Sequence, residues 1–244
     1  MRHPVDMVEY FEVEKLRDSQ VQSSYDQVMT RTPRVEIEQN RSTTAHEATH
    51  YINSSLRSKA FRNKDLNGKY NGFYIANKGG IYILEPPFSK ALVADYIPKP
   101  LRGSIYPTYI VGATDWNDRP LYIVDEWVSF YNGGLVAVED HLAGRGNPEK
   151  FGAVAGLLET SIYTIGLCLC IISEKMDYWY NFPEFRSFVI DQLDRSQTVF
   201  ESGQNITNFY NDKSDKLLHE LRTNPECKEF RTFMDGELEN SWEI

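Results

Sequence analysis

The chain has little cysteine, little histidine, a deficit of basic charge and no long unbroken apolar run. Three cysteines in 244 residues, Cys168, Cys170 and Cys227, are too few and too irregularly spaced for a disulfide framework, so reduced thiols packed in a core are expected. On a helix Cys168 and Cys170 would diverge by about 200°, which excludes joint chelation. Lys and Arg total 26 against 35 Asp and Glu, a net charge of −9. That balance disfavours nucleic acid as a partner. Residues 1–6 contain no apolar segment, so no secretory signal is expected; the expectation is a cytoplasmic protein, with signal-independent export still compatible. The most apolar stretch, residues 151–172, is interrupted by Glu159, Thr160, Ser161 and three glycines. It reads as a buried helix, and no membrane association is expected. Sequons at Asn40, Asn53 and Asn205 are accidental on this reading. No linker, repeat or low-complexity tract breaks the chain. A single domain is expected, with a soft division near residue 147 between parts 1–147 and 148–244.

With only five histidines, the run His46-Glu47-Ala48-Thr49-His50 stands out. Chance places H-E-x-x-H about 0.01 times in a chain of this composition. Histidines four apart on a helix share a face, so both imidazoles can reach one metal ion, and Zn²⁺ suits such donors. Glu47, one position on from His46, projects near the side where a metal-bound water would lie. The helix around the motif is predicted to start near Asn40 or Ser42. A start at Thr44 would turn Glu47 into a capping residue and remove it from catalysis. Ala45, Thr49, Ile52 and Leu56 share one packing face. Residues 34–39 alternate like a short strand leading into it, and Asn63, Lys64 and Asn67-Gly68 mark its end.

Catalytic zinc sites carry three protein ligands. The extended motif with a third histidine fails here, because Asn53 and Leu56 stand where it needs glycine and histidine. The candidates elsewhere are Glu126, Glu159, His141 and Glu139. Glu126 is favoured: it lies with Asp125 in an apolar helical stretch opened by Pro120. Two adjacent carboxylates there need partners, which a metal for Glu126 and an imidazole for Asp125 would provide. Glu159 is costly to bury unless paired, and His141 sits in what reads as a loop.

These residues resemble the zincin metallopeptidases, and more narrowly the gluzincins, in which a glutamate on a later helix completes the site. The likeness covers the five-residue motif and, loosely, Asp125-Glu126-Trp127. It departs from the thermolysin-like pattern in spacing, since Glu126 follows His50 by 76 residues. The resemblance implies zinc-dependent hydrolysis of a peptide or protein substrate, with His46, His50 and Glu126 as metal ligands and Glu47 as general base. It also implies a donor for the oxyanion, for which Tyr122 and Tyr109, and also Tyr106, are candidates. A zincin-scaffold binding protein without activity and a zinc hydrolase of a non-peptide amide are the alternative functions. The oligomeric state is not legible.

The expected fold class is α+β, mostly α: a zincin-like catalytic domain with a small antiparallel sheet and a helical C-terminal part. Residues 70–76 and 81–85 read as a hairpin around Asn77-Lys78-Gly79-Gly80, and its edge is a candidate groove for an extended peptide. Helices are expected over 151–174 and 183–200, around Leu217, Leu218 and Leu221, and from Pro225.

Overall fold

A computed structural model describes residues 8–34, 40–63, 66, 68–145 and 152–237. Most of the expected strand at 34–39, the Asn67 half of the helix-ending turn and the division near residue 147 lie outside the described residues. Among the described residues eight α-helices and one hairpin follow in chain order: α1 (Ser24–Arg31), α2 (Arg41–Arg62), β1 (Tyr70–Ile75), β2 (Gly79–Leu84), α3 (Tyr122–Leu142), α4 (Ala153–Glu174), α5 (Met176–Asn181), α6 (Pro183–Gly203), α7 (Asp212–Thr223) and α8 (Lys228–Glu237). The mostly helical α+β class is as expected from the sequence. Between β2 and α3 run short 3₁₀ turns and one π-helical segment, Pro107–Gly112.

α2 begins where its chemistry allows. The Asn40 side chain accepts from the Thr43 amide at 2.8 Å, satisfying one of the unpaired donors of the first turn. The cap therefore precedes the motif, which lies well inside the helix. Ala45, Ala48, Thr49, Ile52 and Leu56 form the buried face. They pack with Val28 of α1, Tyr74 of β1 and Val136 of α3 in a smaller hydrophobic cluster. The main cluster centres on α3, α4 and α6 and takes residues from both sides of position 147.

α4 is the one described helix long and apolar enough to cross a membrane, and 89% of that apolar window is buried inside the fold. Its apolarity serves the core, as expected. Cys168, Cys170 and Cys227 are buried and form no disulfide.

α2 and α3 make the most extensive contact in the molecule, and it is close because Gly133 has no side chain. A Cβ there would lie 3.0 Å from the Ser42 carbonyl oxygen and 3.3 Å from the His46 Cβ. The Ser42 hydroxyl donates to the Gly133 carbonyl at 2.9 Å.

The hairpin turns at Asn77, whose φ of 67° is the left-handed region that asparagine tolerates. Its edges are partly occupied. On β1, Asn53 accepts from the Tyr74 amide at 2.8 Å, while Asn132 donates to the Tyr74 carbonyl at 2.9 Å and accepts from the Ala76 amide at 3.0 Å. On β2, Gly80 exchanges two 2.8 Å bonds with Phe11, and the Leu84 carbonyl accepts from Tyr178. Backbone groups that an added strand would need at Tyr74, Ala76, Gly80 and Leu84 already have protein partners, which leaves less of either edge for the expected peptide groove.

Candidate metal centre

His46 and His50 project from successive turns of α2 towards Glu126, just past the first turn of α3. Their Nε2 atoms are 3.1 Å apart. Glu126 Oε2 lies 3.8 Å from His46 Nε2 and 3.5 Å from His50 Nε2. A triangle with these edges has a point about 2.0 Å from all three atoms, the usual zinc–nitrogen and zinc–oxygen distance. Glu126 is buried, and its Oε2 has no hydrogen-bond partner. An acceptor in that position needs a counter-charge. Among the described residues, His46, His50 and Glu126 are the group of three able to hold a metal ion.

The other faces of these ligands are held. Asp125 Oδ2 is 3.2 Å from His50 Nδ1, and Asp125 Oδ1 accepts from Asn53 Nδ2 at 2.5 Å. Asp125 thus meets the imidazole partner anticipated for it. A carboxylate accepts only, so His50 donates from Nδ1, which leaves its Nε2 facing the centre. The Ser129 hydroxyl stands 3.2 Å from the same nitrogen. Tyr122 lies close enough to Glu126 for that carboxylate to raise its pKa.

Burial opposes the charged form of His50, but the carboxylates of Asp125 and Glu126 outweigh it and hold its pKa well above the usual imidazole value. Burial, reinforced by the charge of His50, pushes His46 down to about 3. Burial opposes ionised Asp125 as well, yet the His50 charge dominates and its pKa is lowered.

Glu47 lines a cleft of about 230 Å³ together with Ser42, Thr43, His46, Phe130, Gly133, Gly134 and Gly152. Tyr109, on the π-helical segment, faces the same region. Burial and then the negative charges of Glu126 and Glu47 raise its pKa. Its ring lies 6.0 Å from Phe130 and 6.5 Å from Tyr122, and Phe130 meets His46 edge-on at 4.6 Å. Burial and Glu126 likewise raise Tyr122. Tyr106 is buried elsewhere, with its ring 6.0 Å from Tyr163.

The other ligand candidates are placed away from this centre. Glu159 accepts from the Ser104 hydroxyl at 2.7 Å, the Ile105 amide at 2.9 Å and the Tyr163 hydroxyl at 2.9 Å. It is a satisfied core carboxylate. Glu139 accepts from the Ser24 amide and hydroxyl at 2.9 and 2.6 Å. His141 is exposed in the last turn of α3, not in a loop, because α3 runs on to Leu142.

Several contributing residues escaped sequence reasoning. Asn53 and Asn132 tie α2, α3 and β1 together, and the only sequence signal was a polar amide on a packing face. Lys90, fully buried, donates to the carbonyls of Tyr109 at 3.0 Å and Ile110 at 2.7 Å, with its ammonium 5.8 Å from the Tyr122 ring centre. It caps the π-helical segment that carries Tyr109. π-Helical turns are rare and recur at functional sites.

Fold and site together define a mostly helical protein whose H-E-x-x-H helix is paired with a carboxylate-bearing helix around a candidate metal position. The chain matches no known family profile, no curated protein and no solved structure.

Proposed function

We infer that the protein is a metal-dependent hydrolase of peptide bonds, with zinc as the metal. The observation that carries this reading is the buried, unpartnered Glu126 Oε2 facing two Nε2 atoms at 3.5 and 3.8 Å. Two imidazoles and a carboxylate are the donor set of one class of catalytic zinc site. Two of the three ligand atoms belong to imidazoles, and Asp125 orients the His50 ring, which suits zinc better than magnesium or calcium. When bound, the ion supplies Lewis acidity towards the carbonyl and lowers the pKa of a water.

The chain's own groups carry the proton chemistry. Glu47 takes a proton from the attacking water; the hydroxyl stays on the carbonyl carbon as the C–N bond breaks, and Glu47 returns the proton to the departing amine. Tyr109 and Tyr122 are kept protonated by burial and neighbouring carboxylates, so each can donate a hydrogen bond to a developing oxyanion. Tyr109 is the better placed of the two, since it feels the charge of Glu47 as well as that of Glu126, whereas Tyr122 feels Glu126 and Asp125.

The test is metal content followed by turnover. Purified protein should carry one zinc per chain and lose it in His46→Ala. Cleavage of a mixed peptide library should fall about 10²–10⁴-fold in Glu47→Gln with zinc retained. Zinc-free wild-type protein that fails to bind added zinc removes the proposal.

A further inference from the structure

α2 carries a second feature on the C-terminal side of the candidate metal centre. Arg57, Ser58, Phe61, Arg62, Lys69 and Arg119 line a cleft of about 620 Å³. The chain as a whole is acidic, at −9, yet four cations converge here. Two acidic residues border it, Asp118 and the buried Glu85, and Arg57 and Arg119 both act on Glu85, so the cations outnumber the carboxylates two to one. Asp118 faces Lys69 at 3.5 Å, and Glu85 accepts from the Leu121 amide at 2.7 Å and from Asn71. Arg57 donates to Asn71 at 3.4 Å and Arg62 to the Ser58 carbonyl at 3.1 Å. Arg119 is half-buried. Phe61 is 87% exposed beside these charges.

The cleft connects to the centre through stacked rings. The Arg57 guanidinium lies 5.2 Å from the Trp116 ring centre, Trp116 stacks on Tyr122 at 5.2 Å, and Tyr122 stands near enough to Glu126 to feel its charge. Arg57 also acts on Asp125, whose ionised form it favours. The centre thus sits between two openings along α2: the Glu47 cleft on one side and this basic cleft on the other. From His50 to Arg57 the helix advances about 10 Å, which matches about three residues of extended chain.

We propose that the basic cleft binds the C-terminal carboxylate of a short peptide lying along α2, so that the chain releases C-terminal fragments of two or three residues. Guanidinium forks match a carboxylate's two oxygens, and Phe61 offers an apolar surface to a terminal side chain. What is cleaved rests on the peptidase reading; what is bound does not.

The experiment is calorimetric titration of the zinc-loaded Glu47→Gln chain with an N-acetylated alanine tetrapeptide, as the free acid and as the C-terminal amide. The acid should bind at least tenfold more tightly. Arg57→Met and Arg119→Met should each shrink that ratio and together abolish it, while Arg119→Lys keeps part of it; thermal melts check that each variant folds. Inorganic phosphate should compete with the acid and not with the amide. Equal binding of acid and amide, no binding of either, or a preference that survives the double substitution overturns the proposal. An acid preference in a chain whose wild type cleaves nothing keeps the carboxylate site and removes the peptidase. Cleavage that ignores C-terminal amidation does the reverse.

Discussion

Gly156 of α4 faces Phe130 of α3 so closely that a Cβ on it would stand 2.3 Å from the Phe130 ring. Phe130 in turn packs edge-on against His46 at 4.6 Å. A missing side chain on a core helix therefore sets how near an aromatic ring may stand to a candidate metal ligand. The ring transmits the constraint, because a methyl group on Gly156 would take space that the Phe130 ring now fills.

Gly156→Ala should accordingly act at a distance. Overpacking of this kind costs about 1–3 kcal/mol, and the displaced ring presses on His46. Thermal melts should show the destabilisation, and a zinc titration should show weaker binding. Unchanged zinc affinity would mean that the ring yields away from His46.

Asp125→Asn should weaken zinc binding about 10–100-fold with the fold intact, since an amide holds the His50 Nδ1 proton without the charge. Competition against a chromophoric chelator measures this. Asn53→Ala, which removes one donor to Asp125 and an acceptor for the Tyr74 amide, should cost stability as well, about 1–3 kcal/mol for a buried unpaired group.

Lys90→Met removes both ties to the π-helical segment. Hydrogen exchange across Pro107–Gly112 should quicken, and turnover should fall together with that of Tyr109→Phe. Zinc content should not change, because Lys90 contacts no candidate ligand atom. Faster exchange without loss of turnover would exclude Tyr109 from the reaction.

Glu85 supplies a pH signature. Burial raises its pKa to about 7 from an ordinary 4.5, against the opposing Leu121 and Asn71 hydrogen bonds and the Arg119 and Arg57 charges. Between these two values the native state keeps a proton that the unfolded chain has released. Stability therefore falls as pH rises from about 4.5 through about 7 and levels off above, by about 3 kcal/mol at most. Urea unfolding at pH 5 and pH 8 should show this loss in wild type, and Glu85→Gln should flatten it. An unchanged slope in the variant assigns the effect to another group.

The site's first two members were legible because their geometry is local. Four residues along a helix bring His46 and His50 to one face whatever the rest of the chain does, and the Asn40 cap that keeps Glu47 out of a capping role is equally local. The helices and the hairpin were readable for the same reason, from apolar period and turn residues within one window. Edge occupancy was not: Asn53 and Asn132 looked like ordinary helix amides and proved to hold β1.

What the sequence alone determined is the pair of imidazoles with a carboxylate beside them, the helical class and the acidic surface. Only the tertiary structure decided which distant carboxylate meets the pair. Glu126, Glu159 and Glu139 are alike as residues, and each is costly to bury without a partner. Packing gave Glu159 the Ser104 turn and Tyr163, gave Glu139 the start of α1, and left one oxygen of Glu126 facing two nitrogens. Partner choice depends on which helices come within hydrogen-bonding reach, and that follows from side-chain volume at contacts such as Gly133, which no local pattern encodes.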